Sequence, residues 1–214
     1  MLFRSNELLG QWSLNGDALD SSGFGHNGTT LNGAAFSSNG TKASQALALN
    51  GSQYVNVPNF VNPSQQITVA LWAKSTTATW NSNGSLVNKG NAFSFNTVAG
   101  TNKLRFSFQD SQKGGILRTV EFDLAKIVNF KLTDWHHYAT TYDYTTGSLK
   151  LFVDGVARAT LNLGTKALVQ IKRDYGSMTI GYNPTQNTYF SGQIDEVRLY
   201  GRALQAKEIA ALAV

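Results

Sequence analysis

Short runs in which apolar and polar side chains alternate recur along most of the chain. In Lys103–Gln109, Leu104, Phe106 and Phe108 alternate with Lys103, Arg105, Ser107 and Gln109. In Ser148–Val153, Leu149, Leu151 and Val153 fall on one side and Lys150 on the other. A period of two is that of a strand with one buried face and one wet face. Turn formers separate the runs: Asn-Gly at 15–16, 27–28, 32–33, 39–40, 50–51 and 83–84, and Asp154-Gly155. These dipeptides tolerate the positive φ angles that tight hairpin turns need. The pattern predicts strands near Leu9–Leu14, Ala46–Leu49, Tyr54–Val57, Ile67–Lys74, Ser85–Val87, Ala92–Asn96 and Lys103–Gln109. Further strands are predicted near Ile116–Phe122, Trp135–Tyr142, Ser148–Val153, Val156–Leu161, Met178–Ile180 and Gln193–Tyr200. Helical periodicity is confined to the tail, Leu204–Leu212. With no internal repeat and no linker, residues 1–214 read as a single all-β domain, an antiparallel two-sheet β-sandwich with a short C-terminal helix.

Composition narrows this in three ways. Apolar residues make up 42% of the chain and charged residues 14%, enough apolar surface for a core and too little charge for disorder. There are no cysteines, which excludes disulfides and thiolate metal sites. The net charge of +5 is spread singly over strand positions such as Lys103, Arg105, Lys150 and Arg158 rather than gathered in a run. That distribution suits a wet sheet face and argues against nucleic acid as a partner. No segment is long and apolar enough to insert in a membrane. Met1–Glu7 has no apolar signal region, so the expectation is either a segment of a larger secreted protein or a component of a particle.

Several segments together resemble one family. Gly10-Gln-Trp-Ser-Leu14, Ala46-Leu-Ala-Leu-Asn-Gly51, Val69-Ala-Leu-Trp-Ala73 and Trp135-His-His-Tyr-Ala139 follow one another in the order of the laminin-G-like, concanavalin-A-like jelly roll. Leu151-Phe-Val-Asp-Gly155, Ile180-Gly181 and Phe190-Ser-Gly-Gln-Ile-Asp-Glu-Val-Arg-Leu-Tyr200 complete the series, which spans about residues 8–212. The resemblance implies jelly-roll topology and, in most members, a non-catalytic module that binds sugars or packs against other proteins. The family often places Ser or Thr before the last helix as a cap; here Gln205 stands there, so a frayed or shifted helix start is expected. The resemblance also implies that Trp12, Trp72 and Trp135 are packing residues.

Because jelly rolls include glycosidases and lyases, catalysis has to be tested on the residues. A retaining glycosidase needs a nucleophile and an acid about 5–5.5 Å apart. The nearest string to the laminarinase-like Glu-x-Asp-x-x-Glu is Glu121-Phe-Asp123-Leu-Ala-Lys126, which ends in Lys where the acid should stand. Asp195 and Glu196 are adjacent and so point to opposite faces of a regular strand, as do His136 and His137. No catalytic residue is assigned. Calcium, which takes six to eight oxygens, is the one cofactor with a case. Asp20 lies in a Gly- and Asn-rich loop, and the resemblance implies that Asp195 lies close to the N-terminal strand; the two are the expected holders of a structural ion.

Aromatic rings on polar loops are the better route to function, since they offer area to the C–H faces of sugars at low entropic cost. Trp80, within Thr76-Thr-Ala-Thr-Trp-Asn-Ser-Asn-Gly84, has almost no apolar neighbour in sequence. Tyr182, Asn183, Asn187 and Tyr189 share a second polar loop. These five residues are the expected ligand contacts. Sequons at Asn27, Asn39, Asn50 and Asn83 carry little weight in so Asn-rich a chain. The expected function is recognition or adhesion outside the cell through a glycan. A structural virion protein working through capsid or other protein contacts is the alternative, and a glycan hydrolase or lyase the second alternative.

Overall fold

The computed structural model describes residues 7–38, 40, 41, 45–112, 115–164 and 169–214. Asn39, with its sequon and turn signal, lies outside them. Seventeen strands are described, nearly all in two antiparallel sheets facing each other. The first sheet is built from β1 (Leu8–Trp12), β3 (Ala35–Ser37), β4 (Ala46–Asn50), β6 (Gln66–Ser75), β11 (His136–Asp143), β12 (Ser148–Val153), β13 (Val156–Asn162) and β17 (Ser191–Tyr200). Its order is β13-β12-β11-β6-β17-β4-β3, with β1 also paired to β17. The second sheet is built from β2 (Thr29–Leu31), β5 (Tyr54–Val57), β7 (Ser85–Lys89), β8 (Phe93–Thr97), β9 (Lys103–Gln109), β10 (Leu117–Asp123) and β14 (Met178–Ile180), in the order β10-β9-β8-β7-β14-β5-β2. A small hairpin of β15 (Tyr182–Asn183) and β16 (Thr188–Tyr189) stands apart, and α1 (Ala206–Leu212) closes the chain.

The alternation read from the sequence is what fills the core. Leu104, Phe106 and Phe108 of β9 meet Phe93 and Phe95 of β8, and Leu149, Leu151 and Val153 of β12 face them from the other sheet. Asp154 and Gly155 both have positive φ, 50° and 75°, and turn β12 into β13 as the hairpin signal requires. Gly84 has a different role. A Cβ there would lie 2.2 Å from the backbone nitrogen of Phe190, so that Asn-Gly marks a close approach of two chain segments and not a hairpin turn.

The tail departs from expectation. The helix starts cleanly at Ala206 because Glu208 accepts the Gln205 backbone N–H at 2.8 Å. Arg202 grips the same carboxylate at 2.7 and 2.8 Å and also reaches Glu7. Hydrogen bonds from Arg202 hold the Glu208 carboxyl down at about 2. So latched, α1 lays Ile209 and Leu212 over Ala70, Ala139, Phe152 and Tyr200 on the outer face of the first sheet.

Two of the tryptophans differ from the packing roles expected of them. Trp12 is fully buried in the core, but Trp72 and Trp135 are only half-buried. Trp72 sits on the outer face of the first sheet, edge-on to His137 at 5.6 Å. His137 is buried with neither ring nitrogen hydrogen-bonded among the described residues, and burial pushes its imidazole down to about 4. In β17, Glu196 takes positive φ, 51°, in a bulge between Asp195 and Arg198.

Candidate binding groove

The outer face of the second sheet carries a row set by register alone. Thr119 lies opposite Ser107, Ser107 opposite Ser94, and Ser94 opposite Asn88. Asn88 is in turn opposite Thr179, Thr179 opposite Asn56, and Asn56 opposite Thr29. Each of the seven strands thus contributes one hydroxyl or amide, and none contributes a charge. A parallel row holds Glu121, Arg105, Asn96 and Ser85. Asn96 is fixed from both ends, donating to Ser94 Oγ at 2.9 Å and accepting from Ser85 Oγ. Two adjoining clefts, about 260 and 550 Å³, take in the middle of these rows, Asn88, Ser94 and Ser107 of the first and Asn96 and Arg105 of the second, and share Asn96, Arg105 and Gln186 as lining. Asn88 lines the first; it is 2% exposed and its Oδ1 has no hydrogen-bond partner among the described residues. An unmatched acceptor in such a place awaits a donor.

The β15–β16 hairpin roofs the groove. Tyr182 pairs with Tyr189 and Asn183 with Thr188, so the tyrosines project from one side of the hairpin and Asn183 and Thr188 from the other. Asn183 Oδ1 accepts the backbone N–H groups of Thr185 and Gln186, which shapes the tip that overhangs the clefts. Thr188 donates to the Asn83 carbonyl at 3.0 Å. On the opposite flank Tyr182 stacks on Tyr189 at 4.3 Å and lies tilted against Tyr54 at 4.8 Å, and its hydroxyl donates to Asn187 Oδ1 at 3.0 Å. At the far rim, Leu117 on edge strand β10 is 64% exposed.

The carboxylates near the groove do not form a catalytic pair. Glu121 lies between Lys103, at 3.1 Å, and Arg105, whose Nε is at 2.9 Å. Burial pushes its carboxyl up, but the hydrogen bonds from these two cations outweigh that and hold it below its ordinary value. A general acid needs the opposite shift. Asp123 is spent on the Ala125 backbone N–H at the start of a single 3-10 turn, Leu124–Lys126.

The expected calcium holders are not brought together. Asp20 accepts from the backbone N–H groups of Gln11, Ser22 and His26 and from Ser22 Oγ, each at 2.9 Å. Asp195 accepts from Thr41 N and Oγ1 at 2.8 and 2.7 Å and from Glu196 N at 2.9 Å. Both are ringed by donors whose hydrogens point at the oxygens, the reverse of what a cation needs. No contact joins the two, and no group of three or more acidic or histidine side chains stands ready for a metal among the described residues. These residues, so arranged, do not fit a calcium centre.

A family profile described as the concanavalin A-like lectin/glucanases superfamily, of the laminin-G type, matches residues 49–210. The chain belongs to this superfamily. Solved structures agree on the fold. Domain 4 of AbnA, an extracellular arabinanase from Geobacillus stearothermophilus solved with arabinotriose, is similar at TM-score 0.68 and 24% identity, covering 97% of this chain and 98% of that one. The binding domain of botulinum neurotoxin serotype G is similar at TM-score 0.72 and 15% identity, and that of Paraclostridial Mosquitocidal Protein 1 at 0.72 and 17%. This chain is covered to 96% and 98% in these two, but spans only 50% and 52% of the toxin domains. No curated protein sequence matches the chain.

Against this superfamily frame, the expected ligand residues divide. Trp80 is a correction: it is 1% exposed and packs against Tyr138 and Phe190 at 6.3 and 6.0 Å. Its loop folds inward because its own N–H donates to Thr101 O at 2.9 Å and its carbonyl accepts from Gly100 N at 2.7 Å. Polar neighbours in sequence concealed a core residue. Asn183 is buried and lines the first cleft, but its carbonyl is committed to the hairpin tip. Tyr182, Asn187 and Tyr189 do stand together at the surface. Tyr54 was missed, although its alternation with Val55 and Val57 already placed it on a wet face.

Proposed function

We propose that the chain is a non-catalytic carbohydrate-binding module that takes an uncharged glycan into the groove on the second sheet. The observation that carries this reading is the uncharged polar lining that Asn88, Ser94, Asn96 and Ser107 give the two clefts, set side by side by strand register. Such groups both donate and accept, as sugar hydroxyls do, and they bring no charge that would need a counter-ion. Arg105, the cation shared by the two clefts, is already paired with Glu121, which it shares with Lys103. Leu117, exposed at one rim, supplies apolar surface for a C–H face. The likeness to a domain solved with arabinotriose is in keeping with this reading. The same reading puts the site of action outside the cell, on a glycan-bearing surface.

Calorimetric titration with arabinotriose and a panel of other neutral oligosaccharides tests it. Binding that weakens about tenfold in Gln186→Ala, with folding intact, is expected. Failure of every neutral saccharide to bind would end this reading and leave protein contact, as in a particle component, in its place.

A further inference from the structure

The outer face of the first sheet holds a second recess, remote from the groove because the whole sandwich lies between them. It occupies about 570 Å³ where the four strands β3, β4, β17 and β6 run side by side. Register places Ala35, Ala48, Gln193 and Lys74 in one row across these strands. The two alanines leave the floor low, and Asn50, Thr76 and Thr133 rise around it. Gly192 completes the floor, since a Cβ there would meet the Lys74 carbonyl at 2.3 Å.

Two features of the recess lack partners. The Gln193 amide donates to Ser37 Oγ at 2.6 Å, while its Oε1 is buried with no donor among the described residues. Exchanging the amide ends would only transfer the deficit to the nitrogen. Lys74 has no carboxylate within ion-pair reach among the described residues; its ammonium is steadied 5.1 Å above the Trp135 ring, at the recess wall. Neutral rim groups of both polarities, a flat floor and one unmatched cation together describe a polyhydroxylated ring with a single negative charge. Lysine presents one compact point charge, which matches a single carboxylate on a hydroxylated ring.

We propose that this recess is a second ligand site, for a saccharide residue bearing a carboxylate, with Lys74 as counter-ion and the Gln193 amide reading a ring hydroxyl. The site is independent of the neutral groove and stands whether or not that groove binds sugar.

Trigalacturonate added to ¹⁵N-labelled protein tests it, with the fully methyl-esterified trisaccharide as the uncharged control. Shifts of the Gln193 side-chain NH₂ and the Trp135 indole N–H are expected, distinct from any at Asn88 or Asn96. The ester and Lys74→Met should each weaken binding by about tenfold or more. Ala35→Glu, at an exposed position on β3 that leaves the core untouched, should do the same by placing a rival carboxylate in the recess. No shift at Gln193 up to on the order of 10 mM ligand would overturn the proposal. So would a shift that the ester and Lys74→Met reproduce undiminished.

Discussion

The two outer faces of this sandwich began from the same alternating pattern and ended differently. On the second sheet the outward residues form rows of hydroxyls and amides, open except where one short hairpin leans over them. On the first sheet one end is apolar, with Ala70, Ala139, Phe152 and Tyr200 covered by α1, and the other end keeps Trp72 and Lys74 at the surface. The difference lies in whether the chain returns to cover a face. Where it does, the outward positions become a second core; where it does not, they must satisfy water or a ligand.

Substitutions that confuse buried with surface roles should have the largest effects. Trp80→Ala is expected to lower stability by about 3–5 kcal/mol, as truncation of a fully buried aromatic does. Denaturant unfolding would show it, and a loss under about 1 kcal/mol would mean the ring is not the core residue described here. Next comes the latch of the covered face. Glu208→Gln removes the carboxylate that Arg202 and the Gln205 N–H share, and should cost about 2 kcal/mol.

The same face should respond to pH in two windows. His137 has a folded value of about 4, below its ordinary 6.5, because burial disfavours its charged form. The unfolded chain therefore takes up that proton first, and stability should fall as pH drops from about 6.5 to about 4. Glu208, held at about 2, contributes stability above about pH 4.5 that is lost as pH falls towards 2. Melting temperatures of the protein, His137→Gln and Glu208→Gln across this range would separate the two; each variant should flatten only its own window.

The open face should show the reverse balance, with small effects on folding and large ones on binding. Asn88→Leu removes a buried acceptor that has no partner, so stability should stay within about 1 kcal/mol of the parent or rise. Affinity for a neutral glycan should nonetheless fall about tenfold. Tyr189→Ala should have the mildest effect, a few-fold loss of affinity as the hairpin loosens from Tyr54 and Tyr182.

Much of the fold could be read from the sequence because β9 and β12 alternate cleanly and Asp154-Gly155 forms the turn its residues favour. The strands that escaped notice, β2, β3, β15 and β16, have two or three residues each, too few to show a period. Trp80 was misplaced because its burial depends on hydrogen bonds to Gly100 and Thr101, which no local pattern encodes. The groove was hidden for a related reason. Its lining draws Asn88, Ser94, Asn96 and Ser107 from three strands, and only pairing register puts them side by side. The grouping of Tyr182 and Tyr189 was legible because the two aromatics lie within a few residues of each other.

The central claim, that the uncovered face of the second sheet is a neutral-glycan groove, is tested most directly by side-chain amide spectra during titration with a neutral oligosaccharide. The account predicts saturable shifts at Asn88, Asn96 and Gln186, with the side-chain amide of Gln205, at the start of α1, unmoved. Shifts confined to other surfaces, or none at all with any neutral glycan, would contradict it.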